Sequence, residues 1–408
     1  MAGPLSHVRV LDLSRVLAGP WAGQNLADLG AEVIKVERPT LGDDSRTYGP
    51  PWIKDRQGRD TSDSAYFTAA NRGKKSVTLN LARPEGQAMV RELASVSDVL
   101  IENYKFGDLG RYGLGYEDLK SLNPRLIYCS VTGFGQTGPY RDRPGYDQIV
   151  QGMSGLMWLT GTEETAPLRI GIPIGDLLAG YFAALGILAA LVERERSGQG
   201  QRVETSLLEA LVGSLSFQAA RYLNTAEVPP PVGNHHPLTA PMGVYRAKDG
   251  HLNLAVGNDD MWGRLCRALG RPELADDPRF ARGSARLKNR AAMDEILEAA
   301  LAMKPATEWV EILNAAGVAC GPIYRLDEVF ADAQVVESGL VHELNHRVWG
   351  LHKVIGLPLH LHRTPARVRT PAPLSGAHTR EVLAELGYDE GGIDALVADG
   401  VVEEAKHA

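Results

Sequence analysis

Cysteine is scarce: Cys129, Cys266 and Cys320 are the only three in 408 residues, isolated and without ligand spacing. This argues against a disulfide framework or a zinc site and fits a reducing compartment. Positive charge is also short, with 43 Lys and Arg against 50 Asp and Glu for a net charge of −7, and no basic run exceeds Arg72-Gly73-Lys74-Lys75. No sequence-wide field is available to hold nucleic acid, so any anionic ligand has to be met by a few placed cations. Long apolar runs are lacking as well. Leu177–Val192 carries no charge but falls short of the ~20 apolar residues of a spanning helix, and its alanines and glycines suit close packing in a buried helix, which implies no membrane partner. The first ten residues show neither an export nor a transit pattern, so the expected location is cytoplasmic. No Gly-x-Gly-x-x-Gly follows the first strand pattern, and no Gly-Lys-Ser/Thr phosphate loop occurs, which removes the commonest nucleotide sites.

What is present is a hydrophobic content of 44%, enough for a large core divided into about two or three domains. Val8–Leu13, Glu32–Glu37, Ser76–Leu81, Asp98–Tyr104 and Leu126–Thr132 read as strands. Gly19–Leu29 and Pro84–Val96 read as the helices between them. Alternation of this kind predicts an α/β domain with a mostly parallel sheet, doubly wound, whose ligand lies at the carboxyl ends of the strands near Ser14-Arg15, Arg38, Asn103 and Thr132-Gly133. Composition changes after residue 197, and Val228-Pro-Pro-Pro-Val232 reads as a stiff connector. The expected organisation is a large domain over 1–200, a linker over 201–232, a small α+β domain over 233–325, and a linker with a C-terminal return to the large domain over 326–408.

Asp176 follows Gly175 and heads the uncharged Leu177–Val192 run. A carboxylate at a helix start is capped and kept ionised by unpaired N–H groups, and there it is either an N-cap or a nucleophile. His235-His236 lacks an acidic partner at helical spacing and reads as a linker feature, so no metal is expected.

Several strings, in order, resemble the family III (CaiB/BaiF) coenzyme A transferases. They are Arg15-Val-Leu-Ala-Gly-Pro20, Val33-Ile-Lys-Val-Glu-Arg38, Asn71-Arg-Gly-Lys-Lys-Ser76, Glu102-Asn-Tyr104, Gly145-Tyr-Asp147 and Gly175-Asp176. The likeness continues through Lys248-Asp-Gly250 and Gly376-Ala-His378-Thr379. It implies a Rossmann-like large domain with a smaller α+β domain in an interlocked homodimer, no permanently bound cofactor, and acyl-CoA and a carboxylic acid as substrates. Asp176 would be the catalytic residue, forming an anhydride and then an aspartyl-CoA thioester. By the same resemblance, Val16, Ala18, Arg38, Asn71, Lys74, Lys75, Asn103, Tyr104, Arg111 and Tyr112 would contact CoA, with Leu17, Tyr48 and Tyr146 in the substrate pocket.

Related α-methylacyl-CoA racemases carry His where this chain has Tyr146, and a phenol of pKa ~10 is a poor base, which disfavours racemisation. Leu17 replaces the Gln of oxalate-type members, and Gly233-Asn-His-His236 is not their glycine-rich loop. The remaining details look closest to enzymes moving CoA from succinyl-CoA to another dicarboxylate, with Arg46 or Arg169 as partners for a distal carboxylate. A racemase-like epimerase and a non-catalytic CoA-binding protein are the alternatives.

Overall fold

The computed structural model describes residues 3–405 and divides into two compact units. The first comprises Met1–Leu156, Arg169–Asn224 and Ser338–Ala408, and the second Met157–Leu168 and Thr225–Glu337.

The first unit is built on six parallel strands: β1 (Arg9–Asp12), β2 (Glu32–Glu37), β3 (Lys74–Thr78), β4 (Val99–Glu102), β5 (Ile127–Thr132) and β6 (Arg202–Ser206). Their order across the sheet is β3-β2-β1-β4-β5-β6, so the winding direction reverses between β1 and β4. Every second side chain faces one side of the sheet. Val10, Val33, Val99, Ile101, Ile127 and Cys129 meet one layer of helices, and Leu11, Ile34, Leu100 and Tyr128 meet the other. Burial on both faces explains why these strands read as continuous apolar runs rather than alternating ones.

On the first face lie α1 (Ala18–Asp28), α5 (Ile174–Ser197) and α6 (Leu207–Gly213); α4 (Asp147–Met153) sends Val150 into the same core. On the second lie α2 (Pro84–Ser95), α3 (Tyr116–Leu122), α7 (Thr379–Glu385) and α8 (Glu390–Ala398). The tail packs on this second face. It runs along the edge strand β3, where Thr78 N–H donates to Thr379 Oγ1 at 3.1 Å and His378 N–H donates to the Ser76 carbonyl at 2.9 Å.

Two expectations need correction. Arg202–Ser206 is the sixth strand of the sheet, so the connector begins after Asn224 rather than at 201. The apolar helix is longer than Leu177–Val192, because it continues through its charged last turn to a left-handed cap at Gly198; by length and composition alone it could cross a membrane, yet it is a layer of this core. In the second unit, Ala319–Pro322 is a strand that pairs with His251–Ala255.

That pairing completes the second unit's three-stranded antiparallel sheet, with Met242–Arg246 on the other side of His251–Ala255. Tyr245, Leu252, Trp262, Phe280, Leu297 and Trp309 form its separate core. Buried Arg286 donates to the Ala240 and Phe280 carbonyls and pairs with Asp259 at 2.8 Å, joining three segments.

In the first unit, α1 and α5 cross where Gly180 leaves room: a Cβ there would sit 2.7 Å from the Ala18 carbonyl oxygen and 3.0 Å from the Trp21 ring. Gly180→Val is expected to destabilise the protein by about 1–3 kcal/mol through overpacking, measured as a lowered thermal midpoint, because backbone on the facing helix cannot move aside cheaply.

Candidate active site

At the carboxyl end of the sheet, beside the β1–β4 reversal, the first unit encloses a cleft of about 940 Å³. Open α/β sheets bind ligands at such a point. Its walls include Arg15, Val16, Leu17 and Ala18 from the β1–α1 turn, Asn103 to Phe106 after β4, Thr132 and Gly133 at the end of β5, Arg141, and Arg143 to Gln148. Tyr48, Tyr66, Arg169 and Asp176 complete them.

Asp176 is the third residue of α5, not its N-cap, because the helix begins at Ile174 after Pro173. It is half-buried, and among the described residues its carboxylate accepts no hydrogen bond and makes no ion pair. Burial, with the neighbouring Asp147 charge added, pushes its pKa up to about 7. Asp147 is fixed separately: it accepts Gly175 N–H at 2.8 Å and Gln151 Nε2–H at 2.7 Å, and it lies 3.6 Å from Arg169. The cleft thus holds one tied carboxylate and one untied one, and the untied one is free to react.

Two tyrosines stand nearby. Tyr48 and Tyr66 meet edge to face at 5.4 Å, and burial with the Asp176 charge keeps the Tyr66 phenol protonated well above its ordinary range. Tyr66 was not anticipated, since nothing in Ser64-Ala-Tyr66 marks it before the hairpin of Trp52–Lys54 and Asp60–Ser64 brings the following helix to the cleft. Tyr146 lines the rim and is largely exposed.

The expected CoA contacts divide. Val16, Ala18, Asn103 and Tyr104 line the cleft, as does Leu17 of the expected substrate pocket, while Arg38 borders an adjoining crevice with Arg15 and Tyr104 and pairs with Asp44. Asn71, Lys74, Lys75, Arg111 and Tyr112 are not in its wall. Lys74 is wholly buried, its ammonium bonded to Asp12 and Asn71 and to the Pro20 carbonyl; burial draws its pKa down to about 8 despite Asp12. Lys75 is held by Glu32, Glu381 and Glu385. Arg111 pairs with Asp108 on the surface, and Tyr112 packs against the core on the sheet's second face. Arg46 is also withdrawn, since it is buried between Glu37 and Asp63 at 2.7 and 2.6 Å.

Other cations occupy the cleft instead: Arg15, Lys105, Arg141, Arg143 and Arg169. Arg15 lies over the Tyr104 ring, Arg141 over Phe106 and Arg143 over Tyr140. The strand-end rule could have found Arg141 and Arg143, which follow β5. Among the described residues, no group of three or more His, Cys, Asp or Glu side chains is placed to hold a metal.

The sequence matches CoA-transferase family III over residues 5–379. The chain belongs to this family. It is a CoA-transferase, acting on CoA thioesters and carboxylic acids. It is 43% identical over 402 residues to the succinyl-CoA:glutarate CoA-transferase of Mus musculus, covering 98% of this chain and 91% of that one. It is 44% identical over 383 residues to the succinate–glutarate CoA-transferase of Agrobacterium fabrum, covering 94% and 96%. The crystal structure of a CAIB/BAIF family protein from Brucella suis superposes with a TM-score of 0.85 at 42% identity, covering 95% of this chain and all of that one (100%).

The elevated pKa of Asp176 carries a stability signature. The native carboxyl keeps its proton up to about 7, whereas an unfolded aspartate releases it near 4, so this group's contribution to stability falls as pH rises between those values. Asp176→Asn is expected to be more stable than the natural chain by about 1–2 kcal/mol at pH 8, a figure reduced for solvent reaching the carboxylate, with no advantage below about pH 4 in denaturant titrations.

Proposed function

We propose that this CoA-transferase moves CoA from succinyl-CoA, or another dicarboxylyl-CoA, to a dicarboxylic acid through covalent intermediates on Asp176. The observation that carries this reading is the untied, half-buried Asp176 carboxylate in a cleft lined with arginines.

The chemistry follows from that environment. A poorly solvated carboxylate is a stronger nucleophile than a surface one. Asp176 Oδ attacks the thioester carbonyl, the C–S bond breaks, and CoA leaves as a thiolate, giving a mixed anhydride. The thiolate then attacks the aspartyl carbonyl of that anhydride, releasing the donor's carboxylate and leaving an aspartyl-CoA thioester. The acceptor carboxylate attacks this thioester to form a second anhydride, and the thiolate takes the acceptor's acyl group, regenerating Asp176. Thioester energy passes along the sequence, provided water stays out. The Tyr66 phenol, kept protonated, would donate to the oxygen on which negative charge develops.

Arg15, Lys105, Arg141 and Arg143 would meet the phosphates of CoA, with Arg38 in the adjoining crevice and Val16, Ala18, Asn103 and Tyr104 along the nucleotide and pantetheine arm. Leu17, Tyr48 and Tyr146 would line the acyl pocket. Arg169, held only loosely by Asp147, would pair with the acceptor's distal carboxylate. The relatives named for glutarate support a dicarboxylate, and the five cleft cations agree in sign. We further read the chain as a cytoplasmic homodimer: Phe182, Leu185 and Val192 leave apolar surface exposed on α5, which a second copy could cover.

The test is mass-spectrometric analysis after mixing the pure protein with succinyl-CoA and a pool of mono- and dicarboxylic acids. A new dicarboxylyl-CoA should form with the natural chain and fall about a thousandfold or more with Asp176→Ala. Only free CoA, or products unchanged by the substitution, would overturn the reading. Arg169→Gln should raise KM for the dicarboxylate about tenfold while altering that for succinyl-CoA less, if its partner is the acceptor. On the pH axis, kcat/KM should rise from acid to neutral with a midpoint near 7 as Asp176 ionises.

A further inference from the structure

The turn after β1 stands where dinucleotide-binding sheets place glycines, yet Ser14-Arg15-Val16-Leu17 contains none. Val16 nevertheless adopts the left-handed backbone conformation, φ 69°, which a β-branched residue strongly disfavours. Something must hold it there.

Side chains from three other segments do so. Ser14 N–H donates to Asp12 Oδ1 at 3.0 Å, and the Ser14 carbonyl accepts from Lys35 Nζ at 2.8 Å. Asn103 grips Arg15 at both ends of the residue: its Oδ1 accepts Arg15 N–H at 2.7 Å and its Nδ2–H donates to the Arg15 carbonyl at 2.6 Å. Asp43 Oδ1 accepts Val16 N–H at 3.1 Å together with the Ser45 N–H and hydroxyl at 2.8 and 2.7 Å. Asp43 is itself fixed by a fully buried ion pair with Lys35, 2.7 Å long. Both backbone groups of Ser14 and of Arg15, and the Val16 N–H, are therefore bonded by side chains, and no backbone partner is needed.

We infer that Asp43, Lys35 and Asn103 are positioning residues that force the glycine-free β1–α1 turn into its cleft-lining shape, with Asp43 holding Val16 left-handed. Asp43 and Lys35 do not line the cleft; Asp43 borders the adjoining crevice beside Arg38, but both side chains are fully buried in their own ion pair, so they act through the turn rather than by touching substrate. Strain of this kind persists only where the surroundings over-determine it, and it collects at functional sites. The turn carries Arg15 to Ala18 into the cleft wall with Asp176, so a shift of about 1 Å there would misplace the thioester relative to the nucleophile, a displacement that can cost about a hundredfold in rate.

The inference rests on CoA transfer by this cleft, and glycine rescue tests it. Asp43→Ala should lower kcat/KM for acyl transfer about 10- to 100-fold and also lower the thermal midpoint. Asp43→Asn, which keeps an acceptor for Val16 N–H and removes only the charge, should lose less activity for a comparable loss of midpoint. Adding Val16→Gly to Asp43→Ala lets the backbone take the left-handed conformation without the clamp, and should restore about tenfold or more of kcat/KM while the midpoint stays low. Activity that follows the thermal midpoint through the series, or no recovery with glycine, would show that Asp43 serves stability alone.

Should Asp43→Ala not fold, Asn103→Ala carries the test by hydrogen exchange read by mass spectrometry. Exchange in the peptide spanning Ser14–Leu17 should quicken about tenfold or more while the strands stay slow, and unchanged exchange would overturn the clamp. A natural chain that makes no acyl-CoA would instead defeat the proposed function. The same variants would then be judged by exchange and by calorimetric affinity for CoA, which should weaken in Asp43→Ala and recover with Val16→Gly.

Discussion

The first unit depends on charges that have been taken out of water beneath its own binding edge. Lys35 and Asp43, Lys74 and Asp12, and Arg46 with Glu37 and Asp63 are buried pairs packed within a few residues of one another. Burial opposes every one of these charges. Yet Lys35 keeps its proton more tightly than a free lysine because Asp43, Asp12 and Glu37 face it, and Asp43 is held down to about 2 chiefly by Lys35. Such pairs add little net stability over an apolar filling, while losing one partner strands the other. What they supply here is direction: an apolar side chain could not accept Val16 N–H or donate to the Ser14 carbonyl.

That direction matters because the sheet reverses its winding between β1 and β4, and both strands end at the cleft. A glycine-rich turn reaches a ligand by having no side chains. This turn keeps its side chains and is pinned by its neighbours, leaving Arg15 and Leu17 as part of the wall. The opposing wall brings Asp176 in on the first turn of a helix of 24 residues, whose alanines and glycine let it pack against α1. Substrate chemistry and core packing meet on the same pair of helices.

Much of this was legible in the residues. Glu32–Glu37 and Ile127–Thr132 declare themselves because strands buried on both faces have few alternatives. Asp176 stood out as the one acid ahead of a long uncharged run. The small elements were harder. Arg202–Ser206 holds a single apolar residue, Val203, and lies at the sheet's edge, so it carries no continuous run, and Ala319–Pro322 is four residues long with a glycine and a proline, too little for a strand pattern. Among the site residues, the cations misled most. Lys74 sits in a string that resembles the family, and Arg46 reads as a partner for a distal carboxylate, but spacing does not say whether a charge faces a ligand or a buried carboxylate. Lys74 and Arg46 face Asp12 and Glu37, whereas Arg141 and Arg143, marked only by their place after β5, are in the cleft.

The tail on the edge strand has a bearing on how the chain comes into being. Strand β3 is complete by residue 78, but the segment that satisfies its outer side, Gly376 to Thr379, comes about three hundred residues later. While the chain is still emerging from the ribosome, an edge rich in unpaired donors and acceptors stands open to any other strand, including that of a second nascent copy. Lys75 puts charge at one end of that edge, and it finds its tail partners, Glu381 and Glu385, only after about three hundred further residues have been made. The C-terminal residues thus act as a late seal on the sheet, and a chain cut short before them would keep its strands yet remain adhesive.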